Sequence, residues 1–279
     1  MMRFLSDRSV NLPVLGMGTW GFGGRAERNP ENDDAAQIDV LQKGLDAGFT
    51  HIDTAEYYAE GHAETLVGKA IAGFKREKLF LTSKVWKTNL RHDDVLRSAE
   101  ASLKRLGTNY LDCYLYHQVN DEIPLEETIA AMNELVEQKM VRFIGVSNFS
   151  AKRLLRAFQS SNAPIIMNQV HYNLAVRDAA EELQELCRKQ NVILQAWRPL
   201  RDLEETEETR EICKKRGITF AQLALAWLLN QDNVAVITAM KNPAHLPLTL
   251  EALSIQLTQK EMSLLNNYPF RRPCTVPLK

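Results

Sequence analysis

The chain has 279 residues, 45% of them hydrophobic and 25% charged, with a formal net charge of −1, which is the balance of a globular protein long enough to bury a full core. That charge offers no basic field for nucleic acid and no polybasic patch for a membrane surface. Four scattered cysteines (Cys113, Cys187, Cys213, Cys274) without a CxxC argue against a disulfide framework or a metal site. MMRFLSDRSV lacks the apolar core of a signal peptide and AQLALAWLLN is too short to span a bilayer, so a reduced, cytoplasmic protein is expected.

Residues 1–13 read as a short hairpin turning at Ser6-Asp7-Arg8-Ser9. Strand-like runs follow: VLGMG (14–18), FTHID (49–53), LFLTSKV (79–85), YLDCYLYH (110–117), VRFIGVS (141–147), PIIMNQV (164–170), VILQAW (192–197) and VAVIT (234–238). Between them DVLQKGLDAG, HAETLVGKAI, DDVLRSAEASLKRLG, PLEETIAAMNELVEQKM, SAKRLLRAF and DAAEELQELCRKQ place apolar residues three or four apart, as amphipathic helices do. Asp93 and Asp94 suit a helix N-terminus, Lys104, Arg105 and Gly107 its end, Pro124 an early helical position and Ser150 an N-cap. Strand starts recur every 23 to 35 residues until a gap of 42, which holds EETEETREICKKR and TFAQLALAWLLN. Eight strands each followed by a helix, with no linker between them, predict one (β/α)8 TIM barrel domain over 1–279 with an N-terminal β-hairpin. A doubly wound sheet is the alternative, and regular spacing favours closure. The tail, YPFRRPCTVPLK, carries three prolines and is expected to be irregular.

In such a barrel the chemistry sits at the C-terminal strand ends. The first strand delivers Gly18, Thr19 and Trp20, the second Asp53 and Tyr58, the third Lys84 and the fourth His117. Ser147 and Asn148 end the fifth, Asn168 and Gln169 the sixth, Trp197 and Arg198 the seventh, and Lys241 and His245 follow the eighth. Each alone has an ordinary explanation: Asp53 as a helix cap, the tyrosines as packing, the histidine as a structural residue, the lysine reaching solvent. A lysine, histidine, aspartate and tyrosine in register along consecutive strands are harder to explain that way, which leaves only Tyr57 as packing.

A free tyrosine titrates near 10 and is a poor acid at neutral pH. A nearby ammonium lowers that value, and a carboxylate holds the ammonium charged and in place. Tyr58, Lys84 and Asp53 would thus form a tuned general acid, with a neutral His117 fixing the angle of a substrate oxygen. Such donors suit a carbonyl that gains negative charge as hydride arrives. No side chain supplies hydride, so a nicotinamide cofactor is required. Ser147, Asn148 and Gln169 are candidate partners for its carboxamide, Trp197 for its ring and Arg198 for its diphosphate. Gly16-Met17-Gly18-Thr19-Trp20-Gly21 fits GxGxxG after a strand, but no helix starts within it, which disfavours a Rossmann site.

With these residues the chain resembles the aldo-keto reductase family. GFTHIDTAEYYAEGHAETLVGKAI is similar to the family's aspartate-tyrosine segment, LTSKVW to its lysine strand and YLDCYLYHQ to its histidine strand. GVSNFS and NQVHYN resemble its carboxamide segments, and AQLALAWLLNQDNVAVI the helix leading into the last strand. The resemblance implies reduction of an aldehyde or ketone, with Tyr58 as acid, His117 orienting the carbonyl, and Lys84 and Asp53 tuning the tyrosine. Gly18, Thr19 and Trp20 fall at the cofactor side of the first strand. Three departures stand out. Trp197-Arg198-Pro199-Leu200 replaces an aromatic-Ser-Pro-Leu, and Arg198 adds a charge that suits a diphosphate or an anionic substrate. ITAMKNPAHLPLTL keeps only Lys241 and His245 of the basic segment, which favours NADPH with NADH as the alternative. The loop after the fourth strand and the tail are short, implying an open site with residues 21–33 as a flap. The expectation is an NADPH-dependent reductase of a small or sugar-like carbonyl, a monomer or weak homo-oligomer. The competing readings are an NADPH-binding regulatory or redox-sensing barrel with slow or no turnover, and a lyase or isomerase using Lys84 as a Schiff base.

Overall fold

A computed structural model describes residues 4–7 and 10–279. Strands β1 (Phe4–Asp7) and β2 (Val10–Pro13) pair antiparallel, with Phe4 opposite Pro13. Arg8 and Ser9, half of the expected turn, lie outside the described residues. Eight parallel strands then close into a barrel: β3 (Leu15–Gly18), β4 (His51–Asp53), β5 (Phe80–Val85), β6 (Leu111–Tyr116), β7 (Val141–Ser147), β8 (Ile165–His171), β9 (Ile193–Trp197) and β10 (Val234–Ala239). Pairing of β10 with β3, Val236 opposite Leu15, shuts the ring. The eight predicted strands are these eight, each within two residues at either end.

Helices α1 (Asp34–Asp46), α2 (His62–Ile71), α3 (His92–Leu106), α4 (Leu125–Glu137), α5 (Ala151–Ser160) and α6 (Asp178–Lys189) follow the first six barrel strands. α7 (Glu207–Arg216) and α8 (Phe220–Leu229) fill the long gap before β10, and α9 (His245–Glu251) and α10 (Gln259–Asn266) come after it. Side-chain caps start several of them, that of Ser150 as the sequence suggests. Ser150 accepts the Arg153 N–H, and Thr206, Thr219 and Thr258 each form a reciprocal capping box.

The period-two alternation of the strands divides the apolar residues into two cores. Inside the barrel, Phe80, Cys113, Leu115, Met167, Ile193 and Ala235 pack with Val10 and Leu12 of the hairpin, which plugs the end away from the strand tips. The outward set, including Leu81, Tyr114, Tyr116 and Ile144, joins the apolar stripes of the helices. Inward positions two residues beyond the plug belong to the opposite end, and there they turn polar. Lys84, for example, follows Phe80 and Thr82 on one face of β5.

Helix α2 is drawn tightly onto α3. Glu64, fully buried, accepts from Ser83 Oγ and pairs with Arg105 Nε at 2.6 Å. Beside it, a Cβ on Gly68 would stand 2.6 Å from the Arg105 carbonyl oxygen and 2.9 Å from that of Leu106. Both obstacles are backbone, so neither can step aside. Gly68→Ala should therefore cost roughly 1–3 kcal/mol of stability, the usual penalty for overpacking. A urea melt whose midpoint did not fall would contradict this.

Candidate active site

At the tips of β4 and β5, Lys84 is wholly buried and its Nζ meets three oxygens. It donates to Asp53 Oδ1 at 2.6 Å, to the Thr54 carbonyl at 2.8 Å and to Tyr58 Oη at 3.1 Å. All three ammonium hydrogens are thereby used. Asp53 Oδ2 accepts from Gln169 Nε2 at 2.7 Å, and the same nitrogen reaches Gln195 Oε1 at 2.6 Å. The carboxylate is thus held from both sides of the barrel. Tyr58 enters a tight turn whose next two residues, Ala59 and Glu60, have φ of 49° and 56°. Such left-handed, non-glycine backbone costs energy, and hydrogen bonds hold it: the Ala59 and Glu60 N–H groups donate to the carbonyls of Arg25 and Ala26 at 2.7 and 3.1 Å.

Burial sets the electrostatics first and Lys84 opposes it. Loss of water pushes the Tyr58 phenol above its usual value; attraction of the phenolate to Lys84 pulls back, and Asp53 pushes up again. The net direction is upward, opposite to the simple expectation from an adjacent ammonium. Burial lowers Lys84, but Asp53 and then Tyr58 more than compensate, and the ammonium is held charged. His117, at the end of β6, is driven well below the ordinary histidine range by burial and then by Lys84, so it is neutral. Its ring stands edge-on to Tyr58, centroids 5.6 Å apart.

These groups open on a cavity of about 250 Å3. One wall is aromatic: Tyr57 stacks on Trp86 at 3.6 Å and faces Trp20 at 6.1 Å, while Trp20 meets Tyr58 edge-on at 5.0 Å. The other wall carries the tips of β7, β8 and β9. Ser147 Oγ donates to the Gln169 carbonyl at 2.9 Å, and Asn148 Nδ2 donates to Ser147 Oγ at 3.0 Å. Asn148 takes φ 60°, a conformation asparagine tolerates, and its Oδ1 is buried without a partner. Trp197 lies flat on His171, centroids 4.7 Å apart, and also lines the cavity.

A model of the aldo/keto reductase family matches residues 14–268. The chain belongs to the aldo/keto reductase family. It is 35% identical over 278 residues to methylglyoxal reductase YeaE of Escherichia coli (strain K12), covering 96% of this chain and 95% of the other. Among solved structures it is similar to the thermostable aldo-keto reductase Tm1743 in complex with the inhibitor epalrestat, at 46% identity and TM-score 0.92 over 96% of this chain and 99% of that one. It is also similar to an aldo-keto reductase from Klebsiella pneumoniae in complex with NADPH, at 35% identity and TM-score 0.85 over 99% and 97% of the two chains.

Within this aldo/keto reductase barrel, most of the residues singled out by sequence converge. Gly18, Trp20, Asp53, Tyr58, His117, Ser147, Asn148, Gln169, Trp197 and Arg198 line the one cavity, and Lys84 lies beneath it. Thr19 does not reach it: its side chain is buried and donates to the Asp53 carbonyl at 3.0 Å. Trp20 joins the aromatic wall beside Tyr58 rather than the amide wall. Lys241 and His245 are exposed and outside the cavity, with the Lys241 ammonium close to Gly21. Asn168 turns away and bonds the Phe149 carbonyl.

Three sequence inferences need correction. Tyr57 is part of the cavity wall and not mere packing. Residues 21–33 are no loose flap: besides the bonds to Ala59 and Glu60, the Gly23 N–H donates to Gln37 Oε1 at 2.8 Å. Nor is the site left open by the tail, which is irregular as expected but laced across the rim. Thr275 bonds Arg198, the Lys279 N–H donates to the Asn148 carbonyl at 3.1 Å, and Val276 lines the cavity. Trp86 and Gln195 went unread. Trp86 sits two residues past Lys84 and so carried a period-two signal, whereas nothing in VILQAW distinguishes Gln195.

Burial also holds His51 down to about 3, so it is neutral in the folded chain. An unfolded histidine titrates near 6.5 and takes up a proton that the folded state refuses, so stability should fall as pH drops below that value. The loss is at most about 1.4 kcal/mol per pH unit for His51, and His117, held well below the ordinary range, adds to it in the same direction. Urea melts at pH 7 and pH 5 test the direction; equal midpoints would contradict neutral, buried rings.

Proposed function

We propose that this aldo/keto reductase reduces an aldehyde or ketone of a small or sugar-like molecule to its alcohol with NADPH, Tyr58 being the proton donor. The observation that carries this reading is the Lys84–Tyr58 hydrogen bond at 3.1 Å. Because the ammonium donates, it occupies an acceptor site on the phenolic oxygen and leaves the tyrosine's own proton free for the cavity. Tyr58 remains protonated at neutral pH. A carbonyl oxygen becoming an alkoxide is far more basic than a phenolate and takes that proton, while Lys84 steadies the phenolate left behind. Neutral His117, on the same wall, donates a second hydrogen bond and sets the carbonyl's angle.

The residues present fit a nicotinamide. The unpartnered, buried Asn148 Oδ1 is an acceptor suited to a carboxamide N–H, and Trp197 offers a flat face beside it. When bound, the reduced ring supplies the hydride that no side chain can. Tyr58 would give its proton to the substrate oxygen, Lys84 would hold the phenolate left behind, and solvent would reprotonate it. Ser147 and Gln169 complete the carboxamide pocket, and Lys241, exposed at the rim, suits the 2′-phosphate of NADPH. The E. coli relative makes methylglyoxal a natural first substrate.

Tyr58→Phe should lower kcat by at least about 100-fold, in the range for loss of a general acid, while NADPH still binds as judged by quenching of tryptophan fluorescence. A phenylalanine variant with full turnover would exclude Tyr58 as the acid. Lys241→Ala should weaken NADPH several-fold and leave NADH little changed, since only NADPH carries the extra phosphate. If wild-type protein holds NADPH yet oxidises none of it in a single turnover with any aldehyde, the regulatory reading replaces this one.

A further inference from the structure

Arg198 is a charge on the reaction cavity that proton donation by Tyr58 does not employ. It follows Trp197 at the tip of β9 with φ 54°, and its guanidinium lies over the Trp197 ring, 5.1 Å from the centroid. Nη1 donates to Thr275 Oγ1 of the tail at 2.9 Å, which fixes the group but, among the described residues, engages only one of its N–H donors. Among the described residues no carboxylate oxygen comes within 4.0 Å of it. Asp202, the acid whose charge reaches Arg198, pairs with Arg201 at 3.3 Å.

The rest of the cavity does not answer this charge. Asp53, the only carboxylate among the described residues lining it, is already neutralised by Lys84 at 2.6 Å. The remaining walls are largely aromatic or apolar, with Trp20, Tyr57, Trp86, Ile237 and Val276. One half-buried guanidinium is therefore left facing a low-dielectric space in which Tyr58 and His117 also present their donors. A planar guanidinium with free N–H groups is the side chain best matched to a carboxylate.

We propose that Arg198 anchors the carboxylate of the substrate, so that the carbonyl compounds this chain prefers are small oxo acids. The aldehyde or keto oxygen would meet Tyr58 and His117, and the acid end would meet Arg198 across the cavity. The proposal rests on carbonyl reduction at Tyr58. The diphosphate of a dinucleotide carries the same charge but is separated from the reacting ring by a whole ribose. Arg198, by contrast, shares the cavity with the proton donor and is close enough for its charge to favour the Tyr58 phenolate.

The test compares glyoxylate and 4-oxobutanoate, each against its own methyl ester, in wild-type protein, Arg198→Gln and Arg198→Lys. Wild type should prefer the acids. Arg198→Gln should lower the acid-to-ester ratio of kcat/KM by about 10- to 100-fold, the usual worth of a charge-assisted hydrogen bond, mainly through KM. Arg198→Lys should restore part of that ratio. A ratio that does not move, together with NADPH bound tenfold more weakly, overturns the proposal and assigns Arg198 to the diphosphate. An unmoved ratio with NADPH affinity also unmoved overturns it as well, leaving an arginine that merely ties down Thr275. If wild type reduces neither acid nor ester nor methylglyoxal, carbonyl reduction itself fails, and with it the anchor.

Discussion

Lys84 carries a full charge into a position with no exposure to water, and the end of the barrel is arranged around that fact. An ammonium stripped of solvent costs several kcal/mol unless its three hydrogens are met. Here they are met by a carboxylate, a backbone carbonyl and a phenol, drawn from β4 and the turn after it. Because Asp53 is committed to the lysine through one oxygen, its other oxygen needs a donor, and Gln169 crosses from β8 to provide one. The orientation of Tyr58 follows from the same demand. Its oxygen accepts from Lys84, so its proton has to point elsewhere.

This arrangement ties chemistry to architecture. The hairpin plug and the inward apolar residues fill the barrel at one end, so polar inward residues gather at the other. The turn that carries Tyr58 holds two left-handed residues, and the loop of residues 21–33 braces it by hydrogen bonds to Ala59 and Glu60. Glu56 braces the next element, accepting the Trp86 N–H at 2.6 Å and so setting the aromatic wall against Tyr57. The tail closes the opposite rim through Thr275 and Val276. Loops that looked free in the sequence hold the turn that carries Tyr58 in place.

Much of this was legible before any coordinates. The alternation of period-two and helical segments predicted the barrel because a parallel strand needs a helix to return the chain, and eight evenly spaced repeats close on themselves. Asp53, Tyr58, Lys84 and His117 stood out because polar residues at the ends of otherwise buried strands are costly and need a reason. Thr19, Lys241 and His245 were harder to place. All three follow a strand, but whether the chain then turns into the cavity or away from it depends on loop backbone, which composition does not encode.

What the sequence by itself determined is the barrel, its eight strands and the four residues at the strand tips, since all follow from short-range periodicity and the cost of burying polar groups. Only the tertiary structure decided that Gln195 and Gln169 brace Asp53 from across the ring, that Tyr57 belongs to the cavity wall and that the tail crosses the rim. It also decided the direction in which Tyr58 titrates, because burial depends on every neighbouring element whereas the sequence offered only the adjacent lysine. The left-handed turn after Asp53 is where the two meet. Its residues are plain in the sequence, but bonds from a loop more than thirty positions earlier hold Ala59 and Glu60 in that shape.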